Sequence, residues 1–319
     1  MDNGKRKNSF LFPHSFWGVE TMEARSRTFW YRFQRKAAPY VFISPFYVLY
    51  FIFMIGPGLY ALYASFTNWM GLESPRFVGL NNYTNVFKDI AFRRAMVNNA
   101  WYSGASVFIV VPLAFILSLL FNARWLKSRG LFRAVYFMPY VTSGVVIGII
   151  FSLLYNYHYG LINWALQAIG LPAIDWLGTR EWVKPAIVGL IMWQWTGHHM
   201  VYFLAGLQGI PQQIYEAALV DGANWFQSLV HVTIPLLRPT ILFVVVTTTI
   251  GSLQIFDAPN VLTGGGPADA SLSLAMYLYR VGFQYMRLGF GCAVGFVMFA
   301  IIFTLSMVQT RLFGLFREE

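Results

Sequence analysis

The segment EAALVDGANWFQ, residues 216–227, lies between two long apolar stretches and combines residue types suited to docking against a partner protein. Glu216 is near the start of an expected helix, where a carboxylate complements the helix dipole and can meet a cation of a partner. Ala217 and Ala218 are small enough to permit close approach. Gly222, six residues after the glutamate, allows a bend in the chain. The pattern predicts a compact docking element.

The surrounding segment, residues 208–238, is here named the docking loop. We expect two short helices joined at an angle, with the chain returning to an apolar stretch at Pro235. Tyr215 belongs to a face with helical spacing, and such faces dock in the groove of a partner. We also expect Asp221 to contact the partner protein. The alternative is a loop satisfied by its own contacts, in which Glu216 is an ordinary helix-start charge.

A pair of histidines, His198 and His199, lies inside another apolar stretch. Polar side chains are costly to bury in a membrane and are therefore commonly functional there. Three roles stay open for the pair: hydrogen bonds to neighbouring helices, contact with a solute, or a metal site. Adjacent side chains on a helix point about 100° apart, so without further ligands the pair is a poor metal site. We expect no metal.

The sequence lacks the motifs of nucleotide hydrolysis and of common hydrolases. It has no G-x-x-x-x-G-K-[ST] phosphate loop, no H-E-x-x-H and no G-x-S-x-G. We expect that the chain is not an enzyme and does not hydrolyse ATP by itself. A self-sufficient carrier needs ion-coupling carboxylates within the membrane, and only Asp257, at the end of an apolar stretch, is available. Such a carrier and an intramembrane enzyme are the weaker alternatives.

Composition indicates the elements that must position these residues. The chain is 57% hydrophobic and 11% charged, whereas about a quarter of the residues in soluble domains are charged. A span needs about 20 apolar residues, and a backbone in hydrocarbon must satisfy its own hydrogen bonds, which favours helices. We predict an all-α, polytopic membrane protein with six transmembrane helices. The windows, of which the fifth is marginal, are 37–72, 95–123, 134–174, 185–215, 239–256 and 288–310.

The distribution of positive charge predicts the orientation. Of the 23 lysines and arginines, 15 fall in the N-terminal segment, the alternate loops and the C-terminal tail. Positive charge is retained in the cytoplasm, so both termini are expected there. We assign the net charge of +10 to topology and expect no nucleic-acid partner. The expected organisation is a basic and aromatic cytoplasmic segment (1–36), a six-span domain (37–315) and a cytoplasmic tail (316–319).

At the docking loop the chain resembles the permease subunits of bacterial ATP-binding-cassette importers, in particular the carbohydrate group of binding-protein-dependent transport inner-membrane components. That group's signature is E-A-A, three residues, G, nine residues and I-x-L-P. Val232 and Ile234 depart mildly from it, and the matching residues are Glu216, Ala217, Ala218, Gly222 and Pro235. The stretches FVGLNNY, RAVYFMPYV, YGLINWAL, LTGGGPADAS and YRVGF are also similar, in order, so the resemblance covers roughly residues 40–315.

The resemblance implies a multi-pass subunit of the bacterial cytoplasmic (inner) membrane. Its partners would be a homologous second permease, a dimer of cytoplasmic ATPases and an extracytoplasmic solute-binding protein. ATP and Mg would bind to the partner ATPase, and no cofactor is expected in this chain. In that group the docking loop holds a coupling helix, which lies in a cleft of the ATPase and transmits its closure to the spans.

The resemblance also implies a translocation path lined by polar and aromatic side chains of the third to fifth spans. The corresponding stretches are MPYVTSG, MWQWTGHHMVYF and TTTIGSLQIFD. Aromatic rings stack on sugar rings, and amides and hydroxyls meet sugar hydroxyls, although each residue alone could serve packing. The candidates are Tyr140, Ser143, Trp193, Trp195, His198, His199, Thr249, Ser252, Gln254 and Asp257.

The expected solute is a sugar or oligosaccharide. The histidine pair leaves open an acidic one such as alginate oligosaccharide, and glycerol phosphate or another polar solute is the alternative. The TGGGP turn, residues Thr263, Gly264, Gly265, Gly266 and Pro267, lies outside by this topology and could contact the binding protein. An ordinary turn between a span and an interfacial helix has equal support.

Overall fold

A computed structural model describes residues 20–71, 74–123 and 126–312, apart from the side chains of residues 20–32 and 35. Within these ranges the chain is mostly helical, and its only β pairing is an isolated bridge between Thr67 and Phe77. The predicted helical class is confirmed for this part of the chain. Residues 1–19 of the expected N-terminal segment and the expected tail 316–319 lie outside the described residues.

The chain divides after Tyr60 into two units. The first unit contains α1 (Glu20–Tyr50), a π-helical segment (Phe51–Ile55) and the start of α2 (Gly56–Ser65). Pro39 and Pro45 lie inside α1.

The second unit contains the helices that position the candidate site. They are α3 (Asn81–Lys88), α4 (Ile90–Ala105), α5 (Val111–Asn122), α6 (Arg129–Val141), α7 (Gly144–Leu154), α8 (Leu161–Ala168), α9 (Val183–Gln208), α10 (Gln212–Val220), α11 (Trp225–Ser228), α12 (Ile234–Leu236), α13 (Arg238–Leu253), α14 (Asp257–Thr263), α15 (Leu274–Tyr279) and α16 (Leu288–Leu312). Further π-helical segments occur at Ser106–Val110, Leu229–Thr233 and Arg280–Gln284.

Several described helical stretches are long and apolar enough to cross a membrane. Four meet this requirement as single stretches: Lys36–Ser65, Ile90–Asn122, Arg238–Thr263 and Leu288–Leu312. The pair formed by α6 and α7 makes a fifth if it is one bent span. The 26-residue helix α9 is long enough but less apolar, because Gln194, His198 and His199 interrupt it. The chain is therefore a multi-pass membrane protein, while the count of six and the orientation stay predictions.

The third apolar window contains a feature that hydropathy does not reveal. The chain bends by 98° between α6 and α7, and α7 ends at Leu154 instead of continuing through the window. Pro139 lies in the last turn of α6, and the N–H of Thr142 donates to the Pro139 carbonyl at 3.2 Å. The two helices therefore meet at an elbow, and the first residues of α7 lie at the bend.

Helix α9 packs against α5, α6 and α13. Gly197 is so close to α6 that a methyl group at this position would collide with the carbonyl oxygen of Tyr136. At Gly206 a methyl group would come within 2.7 Å of the Thr240 hydroxyl on α13. Glycines permit such close helix packing in membranes. They place α6 and α13 on either side of α9.

A buried asparagine fixes the break between α13 and α14. The side-chain N–H of Asn99 donates to the Leu253 carbonyl at 2.8 Å, and its oxygen accepts from the N–H of Leu274 at 2.8 Å. Carbonyls freed at a helix end need such partners when no water is present. This contact holds the end of α13 against α4 and places the segment of residues 254–257 beside the elbow.

Candidate functional site

A cavity of about 570 Å³ lies among the elbow, α9, the end of α13 and the Ser106–Val110 segment. Residues from all three sequence stretches expected to form a path line it. Of the ten candidate path residues, six are on its wall: Tyr140, Trp195, His199, Ser252, Gln254 and Asp257. The fold thus brings together residues that are far apart in the chain. We name this space the central cavity.

The aromatic part of the wall is a packed cluster. The ring of Tyr140 stacks on that of His198 with centroids 3.8 Å apart and planes 14° apart. Trp195 meets Tyr140 edge-on at 5.2 Å, and Tyr202 meets His198 edge-on at 4.8 Å. His198 is not itself on the cavity wall; its ring packs against the ring of Tyr140, which is. These contacts hold the Tyr140 ring in place at the cavity wall.

His199 is buried, with 4% of its surface exposed. Its Nε2 lies 3.2 Å from the hydroxyl of Thr248, and its buried Nδ1 has no hydrogen-bond partner among the described residues. The rings of Trp195 and His198 pack beside it, with centroids 6.1 and 5.5 Å from its own. The described residues contain no group of three or more His, Cys, Asp or Glu able to hold a metal.

The other candidate path residues take different positions. Ser143 is exposed at the start of α7 and makes no capping hydrogen bond. Trp193 packs on Phe151, with ring centroids 5.5 Å apart. Thr249 is buried; its hydroxyl donates to the Val245 carbonyl at 2.9 Å and accepts from the Gln309 amide at 2.8 Å. Thr249 therefore connects α13 to α16.

Several polar residues on the wall were not among the sequence candidates. Thr142, Gln194, Thr247 and Thr248 fall within stretches that the sequence had singled out, one or two positions from the chosen residues. Their helical phase could have been found only with the elbow and the break of α13 known. Ser106 comes from the segment after α4 and carries no distinguishing signal in the sequence.

Asp257 lies where α14 begins and is exposed to the cavity. Its side chain rests against Gly144, the first residue of α7: a methyl group added there would lie 3.0 Å from Asp257 Oδ2. The carboxylate is thus beside the amino-terminal end of a helix, where the helix dipole favours negative charge.

The docking loop forms the two helices that the sequence predicts, and its bend has a defined structure. Gly222 has φ of +81°, a conformation that favours glycine. The N–H of Gly222 donates to the Leu219 carbonyl at 3.1 Å, and that of Ala223 donates to the Ala218 carbonyl at 2.9 Å. This is the Schellman arrangement that ends helices. The fixed distance between Ala218 and Gly222 in the sequence follows from it.

The second helix of the docking loop, α11, is capped at its start. The Asn224 side chain accepts from the Gln227 N–H at 2.9 Å, and the Gln227 side chain accepts from the Asn224 N–H at 2.8 Å. This capping box starts α11. Tyr215 connects the two halves, since its hydroxyl is 3.1 Å from that of the buried Thr233. The loop is therefore held in one shape by its own hydrogen bonds.

The docking loop exposes several large apolar side chains. Helix α10 has no buried residue. Leu219, Val220, Trp225 and Phe226, here named the loop patch, are exposed by 66%, 88%, 71% and 65%. Glu216 and Asp221 are exposed next to the patch, and Gln212 donates to Glu216 at 2.7 Å. Trp225 and Phe226 were not among the sequence candidates, although both lie within the quoted segment.

The TGGGP turn is folded onto the protein. Gly265 is buried, with φ of +93°, and the Thr263 hydroxyl lies 2.7 Å from that of Ser271. Next to the turn, Asp269 forms an ion pair with Arg280 at 3.0 Å. Gly264 is the exposed member of the turn, and Gly266 and Pro267 are partly exposed.

The docking loop and the TGGGP turn lie at opposite ends of α13. The loop immediately precedes Arg238, where α13 begins, and the turn follows α14. Likewise α9, which is about 39 Å long at 1.5 Å per residue, leads directly into the loop. The central cavity lies between these two ends.

A bundle of apolar helices around a polar and aromatic cavity, with a preformed loop at one end, fits a membrane transport subunit. The comparison with known families agrees. The family described as "Binding-protein-dependent transport system inner membrane component" matches residues 90–316, and the chain belongs to this family. Its members are transport permease components, not ATPases.

Related proteins include permease proteins of sugar transport systems. The arabinooligosaccharides transport system permease protein AraP of Bacillus subtilis (strain 168) is 33% identical over 289 residues, 90% of this chain and 92% of its own length. The lactose transport system permease protein LacF of Rhizobium radiobacter is 35% identical over 275 residues, 85% of this chain and 92% of its own length. The chain is thus a sugar-permease-type inner-membrane component.

A solved structure of similar fold comes from a bacterial alginate ABC transporter in complex with an alginate pentasaccharide-bound periplasmic protein. One of its chains matches this protein with a TM-score of 0.79 and 23% identity, covering 89% of this chain and 96% of that one. The likeness establishes the shared fold.

Proposed function

We propose that this protein is one permease of a binding-protein-dependent, ATP-driven importer, and that it forms half of the translocation path for a sugar or oligosaccharide. In this assembly it pairs with a homologous second permease and two copies of a cytoplasmic ATPase. An extracytoplasmic binding protein delivers the solute. ATP and Mg bind to the ATPase, and this chain couples hydrolysis to movement of the spans.

The docking loop is the observation that carries the proposal. Four large apolar side chains of the loop patch are exposed on a bend that two caps hold in place. Exposed apolar groups gathered at one place mark interaction sites. Because Glu216 and Asp221 flank the patch, a partner cleft with apolar walls and a cationic rim fits it. The coupling role suits the loop because α9 and α13 are joined directly to it.

The central cavity supports a sugar as the solute. Its wall includes the rings of Tyr140 and Trp195 together with hydroxyl and amide side chains such as Thr247, Ser252 and Gln254. Aromatic faces suit the apolar faces of sugar rings, and the polar groups suit their hydroxyls. The names of the related AraP and LacF, which refer to arabinooligosaccharides and lactose, agree with this substrate class.

The proposed contact site for the binding protein is the TGGGP turn, at the end of the spans opposite the docking loop. By the positive-inside argument this end faces outward. Since Gly265 is buried, the contact would involve Gly264 and Pro267 at the surface of the turn, with Thr263, Gly265 and Gly266 holding its shape.

Co-purification with the ATPase tests the coupling role. The tagged chain is co-expressed with its cognate second permease and ATPase, and the ATPase retained per tagged chain is measured. Trp225→Asp should reduce retention by about ten-fold, since it places a charge in an apolar interface. The matched control is Trp164→Asp on α8, another exposed tryptophan outside the docking loop. Equal retention in both variants would overturn the proposal.

A further inference from the structure

The elbow between α6 and α7 leaves a helix terminus at the wall of the central cavity. Gly144 begins the 11-residue helix α7 and lines the cavity. The N–H groups in the first turn of a helix have no partner within it, and Ser143 supplies no side-chain cap. In transporters with broken helices, such ends point at anionic groups of the substrate. A free helix end here would favour an anionic solute.

In this protein the chain's own carboxylate lies beside that end. Asp257, from the break between α13 and α14, rests against Gly144, and a methyl group added to Gly144 would lie 3.0 Å from its Oδ2. Asp257 remains exposed to the cavity. A negative charge therefore lies beside the α7 terminus, at the wall of the central cavity.

The cavity wall formed by the described residues has no lysine or arginine to oppose this charge. His199 is the one imidazole among the described residues that line the cavity; its Nε2 lies 3.2 Å from the Thr248 hydroxyl, its Nδ1 has no hydrogen-bond partner among the described residues, and its ring packs beside that of His198. A buried imidazolium would leave an N–H without an acceptor, which is costly. The remaining polar groups are hydroxyls and amides.

We infer that Asp257 makes this chain's half of the path selective for neutral sugars and excludes solutes with carboxylate or phosphate groups. This inference rests on the proposed function. Like charges repel each other, so a uronic residue or a sugar phosphate near Asp257 is disfavoured. A neutral sugar instead donates its hydroxyl hydrogens to the carboxylate. The acidic-oligosaccharide and glycerol-phosphate alternatives are both excluded by this reading.

Direct binding without the binding protein tests the inference, because solute delivery no longer sets the selectivity. The purified complex in detergent, free of nucleotide, is titrated by calorimetry with neutral probes (arabinotriose, maltotriose and lactose) and with acidic ones (trigalacturonate and glycerol 3-phosphate). The variants are Asp257→Asn, which keeps the shape and removes the charge, and Glu181→Gln. Glu181 is exposed and absent from the cavity wall, so it controls for a general loss of one negative charge.

The wild-type complex should bind at least one neutral probe about ten-fold more tightly than the acidic ones. Asp257→Asn should narrow this preference by about ten-fold, while Glu181→Gln leaves it unchanged. Wild-type binding of an acidic probe as tight as that of every neutral probe overturns the inference. So does an unchanged preference in Asp257→Asn, or the absence of binding by all neutral probes. None of these results affects ATPase retention, which tests the proposed function separately.

Discussion

At the scale of single residues, the docking loop explains why a short sequence signature has fixed spacing. Gly222 ends α10 with φ of +81°, and its N–H and that of Ala223 satisfy carbonyls of α10. A glycine placed one residue earlier or later would leave the left-handed position to a residue with a side chain. The spacing between Ala218 and Gly222 thus follows from the way in which the helix ends. The bend after a short helix was predictable from the sequence.

Replacing Gly222 should separate folding from coupling. Gly222→Val forces a β-branched residue into the left-handed region at a cost of about 1–2 kcal/mol, although no atom lies within 4 Å of the added carbon. The bend should change and ATPase activity of the assembled complex should fall. The control is Gly170→Val, which has the same φ of +81° and the same open surroundings but follows α8. Equal losses in both variants would argue against a special role for the loop.

Tyr140 should contribute to solute binding through its ring. Tyr140→Ala removes the stacked surface, and neutral-sugar affinity should weaken by about five-fold, in the range of aromatic stacking energies. Tyr140→Phe keeps the ring and should keep most of the affinity. Tyr159→Ala removes an exposed tyrosine that is absent from the cavity wall and is the matched control. Calorimetric titration measures all three, and a loss in Tyr140→Phe as large as in Tyr140→Ala would rule out stacking.

At the scale of elements, the apolar windows were predictable but the breaks within them were not. Hydropathy locates apolar stretches such as 134–174 because a helix that crosses the hydrocarbon core needs about 20 predominantly apolar residues. It does not reveal the 98° elbow at residues 142–143, because that bend depends on packing of α6 and α7 against neighbours. The helical phase of the path residues depends on the same break. For this reason the sequence candidates include Tyr140 and Asp257 but omit Thr142 and Thr248, although all four line the cavity.

The close contact between α9 and α6 should be sensitive to a single methyl group. Gly197→Ala would drive a carbon into the Tyr136 carbonyl, and overpacking of this kind costs about 1–3 kcal/mol. The purified complex should unfold at a lower temperature. Gly104→Ala, in α4, adds the same methyl group with no atom within 4 Å and should not lower stability. Thermal unfolding followed by fluorescence compares them, and equal unfolding temperatures would contradict the packing argument.

At the scale of the whole molecule, the docking loop and the TGGGP turn lie at opposite ends of the helices that enclose the central cavity. This arrangement fits a transporter that receives solute at one end and mechanical input at the other. The distribution of lysine and arginine predicts which end is cytoplasmic, because positive charge determines orientation during insertion. The helical packing by itself carries no such information.

Cysteine labelling of cells should establish the orientation. The single native cysteine is removed as Cys292→Ser, and either Val220→Cys in the loop patch or Tyr159→Cys before α8 is added, both at exposed positions. A membrane-impermeant maleimide should label the Tyr159→Cys protein in intact spheroplasts and the Val220→Cys protein only after lysis. The reverse pattern would mean that the docking loop faces outward.

ATPase activity of the reconstituted importer tests the central claim most directly. The chain is co-purified with its cognate second permease and ATPase, placed in proteoliposomes, and assayed with the binding protein empty or loaded with neutral or uronic oligosaccharides. The account predicts that the loaded binding protein stimulates hydrolysis several-fold and that Gly222→Val abolishes the stimulation. Hydrolysis that is independent of both the loaded binding protein and the docking loop would contradict it.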